Sequence, residues 1–404
     1  MQLKAFLKTG HAPTLFTAFL YFDVSFMVWI LLGPLGVFIA RDLGLSASEK
    51  GLMVAVPVLS GALLRIVMGL LVDRIGARRT GLIGQLVVIA AIAWAWLAQL
   101  DTLPQVYAFG LLLGVAGASF AVALPLASRW YPPEAQGLAL GIAGAGNSGT
   151  VFTALFGPLL AARYGWNAVL GMVLIPLILT LVVYTLFAKD SPHTPPPKTL
   201  RQYLSVLRDA DTWWFMFFYC VTFGGFVGIA SSLVIYFHGQ FGVNPVHAGY
   251  LTSACVLAGS LCRPLGGTLA DRVGGVRALQ WVYLFVMLGS AGIGLSSGSP
   301  VAATVFFIVC MTALGIGNGS VFQIIPQRFA REIGVLTGLV GMAGGVGGFY
   351  FATSLGYSRE WTGGYSLGFY LFALMAGLAL TGLWSVKKRW RTTWGAPHAT
   401  SARV

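Results

Sequence analysis

Charge is what this chain has least of. Only 12 of its 404 residues are Asp or Glu and only 9% are charged at all, too few to furnish the polar skin of a soluble domain of this size. Cysteine and histidine are scarcer still. The four cysteines (Cys220, Cys255, Cys262, Cys310) lie inside apolar runs without metal-ligand spacing and read as small buried hydrophobes. The five histidines (His11, His193, His238, His247, His398) sit at the ends of apolar runs or in polar segments, none at ligand spacing from a cysteine or an acid. The pattern offers no metal site, no membrane-embedded nucleophile–base pair and no cofactor motif, so an enzyme is not the expectation. What the chain does have is apolar surface. With 57% hydrophobic residues and a mean hydropathy of +0.81, it has the composition of an all-α protein that crosses a membrane many times.

Runs of about 20 or more mostly apolar residues occur at 14–40, 47–72, 79–99, 103–130, 134–162, 166–188, 211–237, 246–270, 277–297, 300–327, 332–357 and 363–386. These twelve spans divide into an N-terminal six-helix bundle (1–188) and a C-terminal six-helix bundle (212–388). Between them lies a polar linker (189–211) with Pro192, Pro195, Pro196 and Pro197, and a basic tail (389–404) closes the chain. Within the linker, Thr199 to Leu207 is expected to form a short surface helix. The opening MQLKAFLKTGHAPT precedes a long apolar run with no small-residue cleavage site, which reads as a first transmembrane helix rather than a removed signal peptide. The net charge of +13 resides in short loops. Of the Lys and Arg residues, 19 fall on the side of the termini and linker and 4 on the other. That asymmetry predicts cytoplasmic termini and a cytoplasmic-membrane location, and it explains the basic charge without nucleic acid.

Two arginines break the apolar pattern. Arg65 and Arg263 each lie inside a span, where a guanidinium costs about 3 kcal/mol or more and so must face a cavity or a partner. They are copies of one feature. Arg65, Gly69, Asp73, Arg74 and Gly76 recur as Arg263, Gly267, Asp271, Arg272 and Gly274 at an offset of 198 residues, so the two bundles are pseudo-symmetric repeats. Helical rise puts both arginines about 12 Å from the membrane edge, near the middle of a core about 30 Å thick. Asp23, the one carboxylate deep within a span, lies at similar depth. Two guanidiniums with so little acid make a cavity for an anion, and their planar forked donors suit a small flat oxyanion better than a lysine would.

Other residues share that layer. The fifth span contains GIAGAGNSG and the eleventh GLVGMAGGVGG, and the offset lays Gly146 on Gly344 and Asn147 on Gly345. Such glycine density serves either close helix packing or ligand approach. A mid-membrane amide such as Asn147 either contacts a ligand or bonds a neighbouring helix. The tenth span brings Asn318 and Ser320 to the layer, the fourth brings Phe120, and the seventh brings Tyr219 and Phe223, one turn apart on one face.

GLLVDRIGARR after the second span, and its echo GGTLADRVGGVR after the eighth, resemble the loop signature of the major facilitator superfamily. More narrowly, GAGNSG, GLVGMAGGVGGF and GIGNGSVFQIIPQRF, with an arginine in the second and eighth spans, resemble the nitrate/nitrite porters of that superfamily. The resemblance covers the whole chain. It implies that Arg65 and Arg263 clamp the anion, that Phe120, Tyr219 and Phe223 wall it in, and that Asn147 is a polar contact. It also implies that Gly144, Gly146, Gly344 and Gly345 lie on surfaces that slide during alternating access, while Asp73, Arg74, Asp271 and Arg272 act as gating latches. FDVSFMVWILLGPLG resembles the first helix of the shorter, symport-type members, which makes Asp23 the candidate proton-coupling group. Its other reading is a permanently ionised partner of an arginine or a helix terminus. The expectation is a monomeric carrier of nitrate, with nitrite a further candidate, driven by protons. Nitrate/nitrite exchange is the alternative, and a non-transporting anion receptor the remote one.

Overall fold

The computed structural model describes residues 3–192, 199–296, 298–329 and 333–393, and every regular element among them is helical. Each span has to satisfy its own backbone in lipid, which a helix does without a partner. After a short lead, α1 (Leu3–Lys8), the first span is split into α2 (Ala12–Trp29) and α3 (Gly36–Leu43) by turns at residues 30–35. Pro34 has no amide proton to donate there. Gly33 lies so close to the opposite bundle that a Cβ would fall 2.1 Å from the Ser231 carbonyl. The second and third spans are α4 (Ala47–Ile75), opened by a capping box of Ser46 with Glu49, and α5 (Ala77–Ala98).

The fourth span is again split, into α6 (Leu103–Gly117) and α7 (Phe120–Ser128). The fifth runs α8 (Pro133–Gly144), a 3-10 turn at Ala145–Ser148, then α9 (Gly149–Tyr164), and the sixth is α10 (Trp166–Phe187). In the linker the surface helix appears as α11 (Leu200–Ser205), while Pro195, Pro196 and Pro197 lie outside the described residues. The second half is less interrupted: α12 (Ala210–Phe241), α13 (Pro245–Val273), α14 (Gly275–Leu295), α15 (Pro300–Arg328), α16 (Ile333–Thr362) and α17 (Ser366–Thr393). Among the described residues, eleven of the spans are long and apolar enough to cross a membrane. The other, α13, has the length at 29 residues, but small and polar residues along its first part and Arg263, Asp271 and Arg272 along its last part lower its apolarity.

The expected tail does not begin cleanly at 389. α17 continues to Thr393, and Arg389 and Trp390 fold back on the start of α12. The Trp390 indole donates to Asp211 at 2.7 Å and stacks on Phe215 at 4.9 Å, while Arg328 bridges Asp209 at 2.6 Å and Asp211 at 3.2 Å. These contacts tie α12, α15 and α17 together at the face that bears the termini.

The halves meet along two antiparallel seams, α4 against α16 and α9 against α13. On the first, Gly345 faces Ala62, Gly348 faces Val58 and Gly51 faces Gly356. On the second, Gly249 faces Ala154 and Pro158. Among the described residues, three hydrogen bonds cross between the halves: Arg65 to the Gly341 carbonyl, Ser253 to the Val151 carbonyl, and the Ser48 amide to Glu360. All lie at the arginine layer or beyond it, toward the face without termini. At the layer itself the halves also touch through the Phe120 and Phe322 rings, with centroids 6.1 Å apart.

Candidate functional site

The site is assembled by helix ends and helix interruptions. Arg65 on α4 and Arg263 on α13 stand about ten residues, or about 15 Å, before the ends of equivalent helices. The 3-10-like break between α6 and α7 lets the Ala121 amide bond back to Ala118 rather than to Gly117. That frees the Gly117 carbonyl, and Arg65 Nε donates to it at 3.3 Å. Arg65 Nη1 donates to the Gly341 carbonyl of α16 in the opposite half. Three rings complete its surroundings, with centroids 4.9 Å (Phe223), 5.1 Å (Phe120) and 5.5 Å (Trp29) from the guanidinium carbon. Cation–π attraction of this kind is strongest when water is excluded, and Arg65 is only 1% exposed.

Arg263 is held more loosely. It is half-buried, its Nη2 donates to the Tyr219 hydroxyl at a long 3.4 Å, and its guanidinium lies 6.0 Å from the same Phe120 ring. One ring is therefore shared by both cations. Tyr219 stacks on Phe223 with centroids 5.0 Å apart and planes 7° from parallel, and Phe322 closes against Tyr219 edge-on. Arg65 Nη2 and Arg263 Nη1 are both shielded from solvent and have no hydrogen-bond partner. Among the described residues no carboxylate lies within ion-pair distance of either guanidinium. A buried cation and a half-buried one, with unspent N–H donors and no counter-ion, present the chemistry that an anion would satisfy.

Of the residues expected from sequence, the structure brings Arg65, Arg263, Phe120, Tyr219 and Phe223 together. Asn147 is differently occupied: with its amide turned so that both side-chain atoms are satisfied, the nitrogen lies 3.2 Å from each of the Gly144 and Ala145 carbonyls, at the start of its own 3-10 turn. Asp23 pairs with neither arginine. It accepts from Ser148 Oγ at 2.6 Å, on the turn where α2 and the fifth span press backbone to backbone. A Cβ on Gly146 would come within 2.7 Å of Phe22 and 2.9 Å of the Asp23 nitrogen, and one on Gly149 within 1.8 Å of the Asp23 carbonyl. The glycines expected to slide divide by role. Gly345 lies on the seam between the halves and Gly344 under the Tyr219 and Phe223 rings, whereas Gly144 has open space where a side chain would stand.

The latch residues also differ between the halves. Asp73 pairs with Arg129 at 2.8 Å, whereas Asp271 accepts from the neutral Gln323 at 2.9 Å, and Arg74 and Arg272 are exposed. Sequence reasoning missed Trp29, Phe322, Gly117 and Gly341. Phe322 could have been found one turn along from Asn318. The carbonyls could not, because nothing in the residue types marks which of them will be free.

Comparison with known proteins identifies the family. The model of the Major Facilitator Superfamily matches residues 17–352. The chain belongs to that superfamily. Within it, the chain falls among the nitrate/nitrite porters. It is 34% identical to the "Nitrite extrusion protein" of Bacillus subtilis (strain 168) over 85% of this chain and 87% of the relative. It is also 34% identical to the "Probable nitrate/nitrite transporter NarK2" of Mycobacterium tuberculosis (strain CDC 1551 / Oshkosh), over 92% and 95%. The "Probable nitrate/nitrite antiporter NarK1" of Thermus thermophilus matches at 31% over 93% and 91%. Among solved structures, a bacterial homologue of the human lysosomal transporter Spinster, inward-facing and occupied, superposes with a TM-score of 0.70 at 15% identity over 95% of this facilitator and 98% of that chain. At that identity the match speaks to fold.

Proposed function

We propose that the chain carries nitrate across the cytoplasmic membrane by alternating access, with nitrate seated between Arg65 and Arg263. The observation that carries this reading is the pair of guanidiniums sharing the Phe120 ring, each with a solvent-shielded, unpartnered nitrogen and neither with a carboxylate. A flat oxyanion accepts forked N–H donors in its plane and tolerates aromatic faces above and below. The names of the relatives support nitrate and nitrite as the anions. The anion site lies within one chain, so the working unit is a monomer, and its task is transport rather than catalysis.

The basic loops put the termini in the cytoplasm. With the seams joined toward the opposite face, the arrangement corresponds to an inward-facing carrier. Coupling runs through Asp23, which stands in the same layer, is free of both arginines and hydrogen-bonds to Ser148. Inward movement of a monovalent anion against a negative interior needs more than one proton per turnover, and Asp23 supplies one of the sites. Exchange of nitrate for nitrite is favoured by a different observation, because two unneutralised cations make the empty site costly and a returning anion removes that cost. Uptake of labelled nitrate into proteoliposomes, with an imposed proton gradient compared against internal nitrite, separates the two modes. Absence of nitrate flux under both conditions would sink the reading as a carrier.

A further inference from the structure

Asn318 is a mid-membrane amide that the fold leaves unused. It is fully buried on α15, and both its Nδ2 and its Oδ1 lack a hydrogen-bond partner. Buried amides are ordinarily paired, because leaving one unpaired costs its full desolvation. Three observations place it at the anion layer. It stands about ten residues before the end of α15, as Arg263 does on α13 and Arg65 on α4. It lies one turn from Phe322, on the same helix face, and Phe322 packs against both Phe120 and Tyr219. The 198-residue repeat makes it the counterpart of Phe120 itself, the ring shared by both cations. Nearby hydroxyls are also unpaired: Ser260 one turn from Arg263, Thr222 one turn from Tyr219, and Ser119 beside Phe120.

We infer that Asn318 donates its amide N–H to the third oxygen of nitrate and is the residue that favours nitrate over nitrite; this rests on the nitrate reading of the site. Nitrate is planar with three equivalent oxygens, and nitrite has two. The unpartnered Arg65 Nη2 and Arg263 Nη1, each carrying two N–H groups on a single nitrogen, approach from two sides; each serves the oxygen turned toward it, and the third oxygen, turned away from both nitrogens, takes its donor from elsewhere. An amide is suited to that position. It donates without adding charge, and rotation about its terminal torsion turns the nitrogen toward the anion. Nitrite makes no use of this donor, so the contact discriminates by number of oxygens, whereas the arginines discriminate by charge.

The test uses the full chain purified in detergent, with the dissociation constants of nitrate and nitrite and the melting temperature without ligand measured for wild type and Asn318→Leu. Leucine has nearly the same size and carries no polar atoms. The inference expects an unchanged or raised melting temperature, because two unpaired polar atoms are removed, with nitrate affinity down at least about tenfold and nitrite affinity within about threefold of wild type. A lowered melting temperature with an unchanged nitrate-to-nitrite ratio would show a structural role and overturn it. Parallel weakening of both anions would also overturn it. If Asn318→Leu does not fold, Asn318→Ala read by the same ratio decides in the same way. A wild-type protein that binds no nitrate takes down the site reading itself, whereas one that binds nitrate and keeps its ratio in the variant takes down this inference alone.

Discussion

The two halves carry the same motif but are built with different stiffness. In the C-terminal half the helices around the site run unbroken: α12 over 32 residues, α15 over 29 and α16 over 30. Their counterparts in the N-terminal half are interrupted, the first span by turns, the fourth between α6 and α7, the fifth by a 3-10 turn through GAGNSG. The arginines follow the same division. Arg65 is bonded to two carbonyls and enclosed by three rings, while Arg263 has one long bond to a hydroxyl. Local 3-10 segments within a helix are frequent hinge points, and an irregular backbone at membrane depth is tolerated where it lines a cavity or is buried in protein. The comparison teaches that repetition of sequence does not impose repetition of mechanics. The N-terminal half grips its cation through the Gly117 carbonyl that an interruption frees, with the Gly341 carbonyl of the continuous α16 added from across the seam, and the C-terminal half presents its cation on a rigid wall.

The sharpest way to break this comparison is to weaken each cation in turn. Arg65→Lys and Arg263→Lys are both expected to lower nitrate uptake by about 100-fold or more, since a lysine cannot reproduce the planar fork. Arg65→Lys alone should also lower the melting temperature, because it leaves the Gly117 and Gly341 carbonyls short of their donors. Equal melting temperatures for the two variants would erase the asymmetry. Near-normal uptake in either would remove the clamp.

Next in size is coupling. Asp23→Asn should reduce proton-gradient-driven accumulation about tenfold or more while leaving nitrate affinity within about threefold. Unchanged gradient dependence, measured in the same proteoliposomes, would take Asp23 out of the transport cycle and favour exchange.

The glycine contacts sharpen the comparison from the other direction, because here the halves agree. Gly149 approaches the Asp23 carbonyl and its counterpart Gly347 approaches the Cys220 carbonyl, where added Cβ atoms would sit at 1.8 Å and 2.2 Å. Either glycine changed to Ala should destabilise by about 1–3 kcal/mol through overpacking against backbone. A smaller loss at Gly149, read by thermal unfolding, would show that the interrupted helix yields where the continuous one does not.

The smallest effect belongs to the latches. Arg129→Gln makes the N-terminal latch neutral, as the Gln323–Asp271 contact already is. The Arg129–Asp73 pair is partly exposed, with side chains 19% and 10% accessible, so its loss should cost about 1 kcal/mol or less. Its readout is the accessibility of cysteines introduced at the face bearing the termini, which should shift in Arg129→Gln and stay put in Gln323→Ala.

Much of this was legible in the residues. The repeated LLVDR and LADRV segments marked two halves, and the arithmetic of helical rise put Arg65, Arg263, Phe120, Tyr219 and Phe223 in one layer, where the structure joins them. Hydropathy reports that a stretch is long and apolar, and it carries no information about whether the helix is continuous, so the divided first, fourth and fifth spans were invisible. Gly117 entered the site only because its helix breaks after it. Asn147 looked like a ligand contact because a buried amide needs partners. It finds them in the turn that its own glycine-rich stretch makes possible, a local solution that tertiary packing selects. Conversely, the full apolar enclosure of Arg65 by Trp29 required knowing that α2 ends where α4 passes, since the Trp29 indole donates to the Pro57 carbonyl at 2.7 Å.

Phe120 belongs by covalent connection to the first half, yet it serves a cation in each. When the halves part at this layer the ring must travel with α7, so Arg65 keeps Phe120 and Trp29 and gives up Phe223 of α12, whereas Arg263 loses Phe120. In the carrier we propose, water is expected to reach Arg263 first and an anion leaving the pocket to give up that side before the other. A symmetric cradle would let go on both sides at once; this one is expected to impose an order of departure through a single benzyl group.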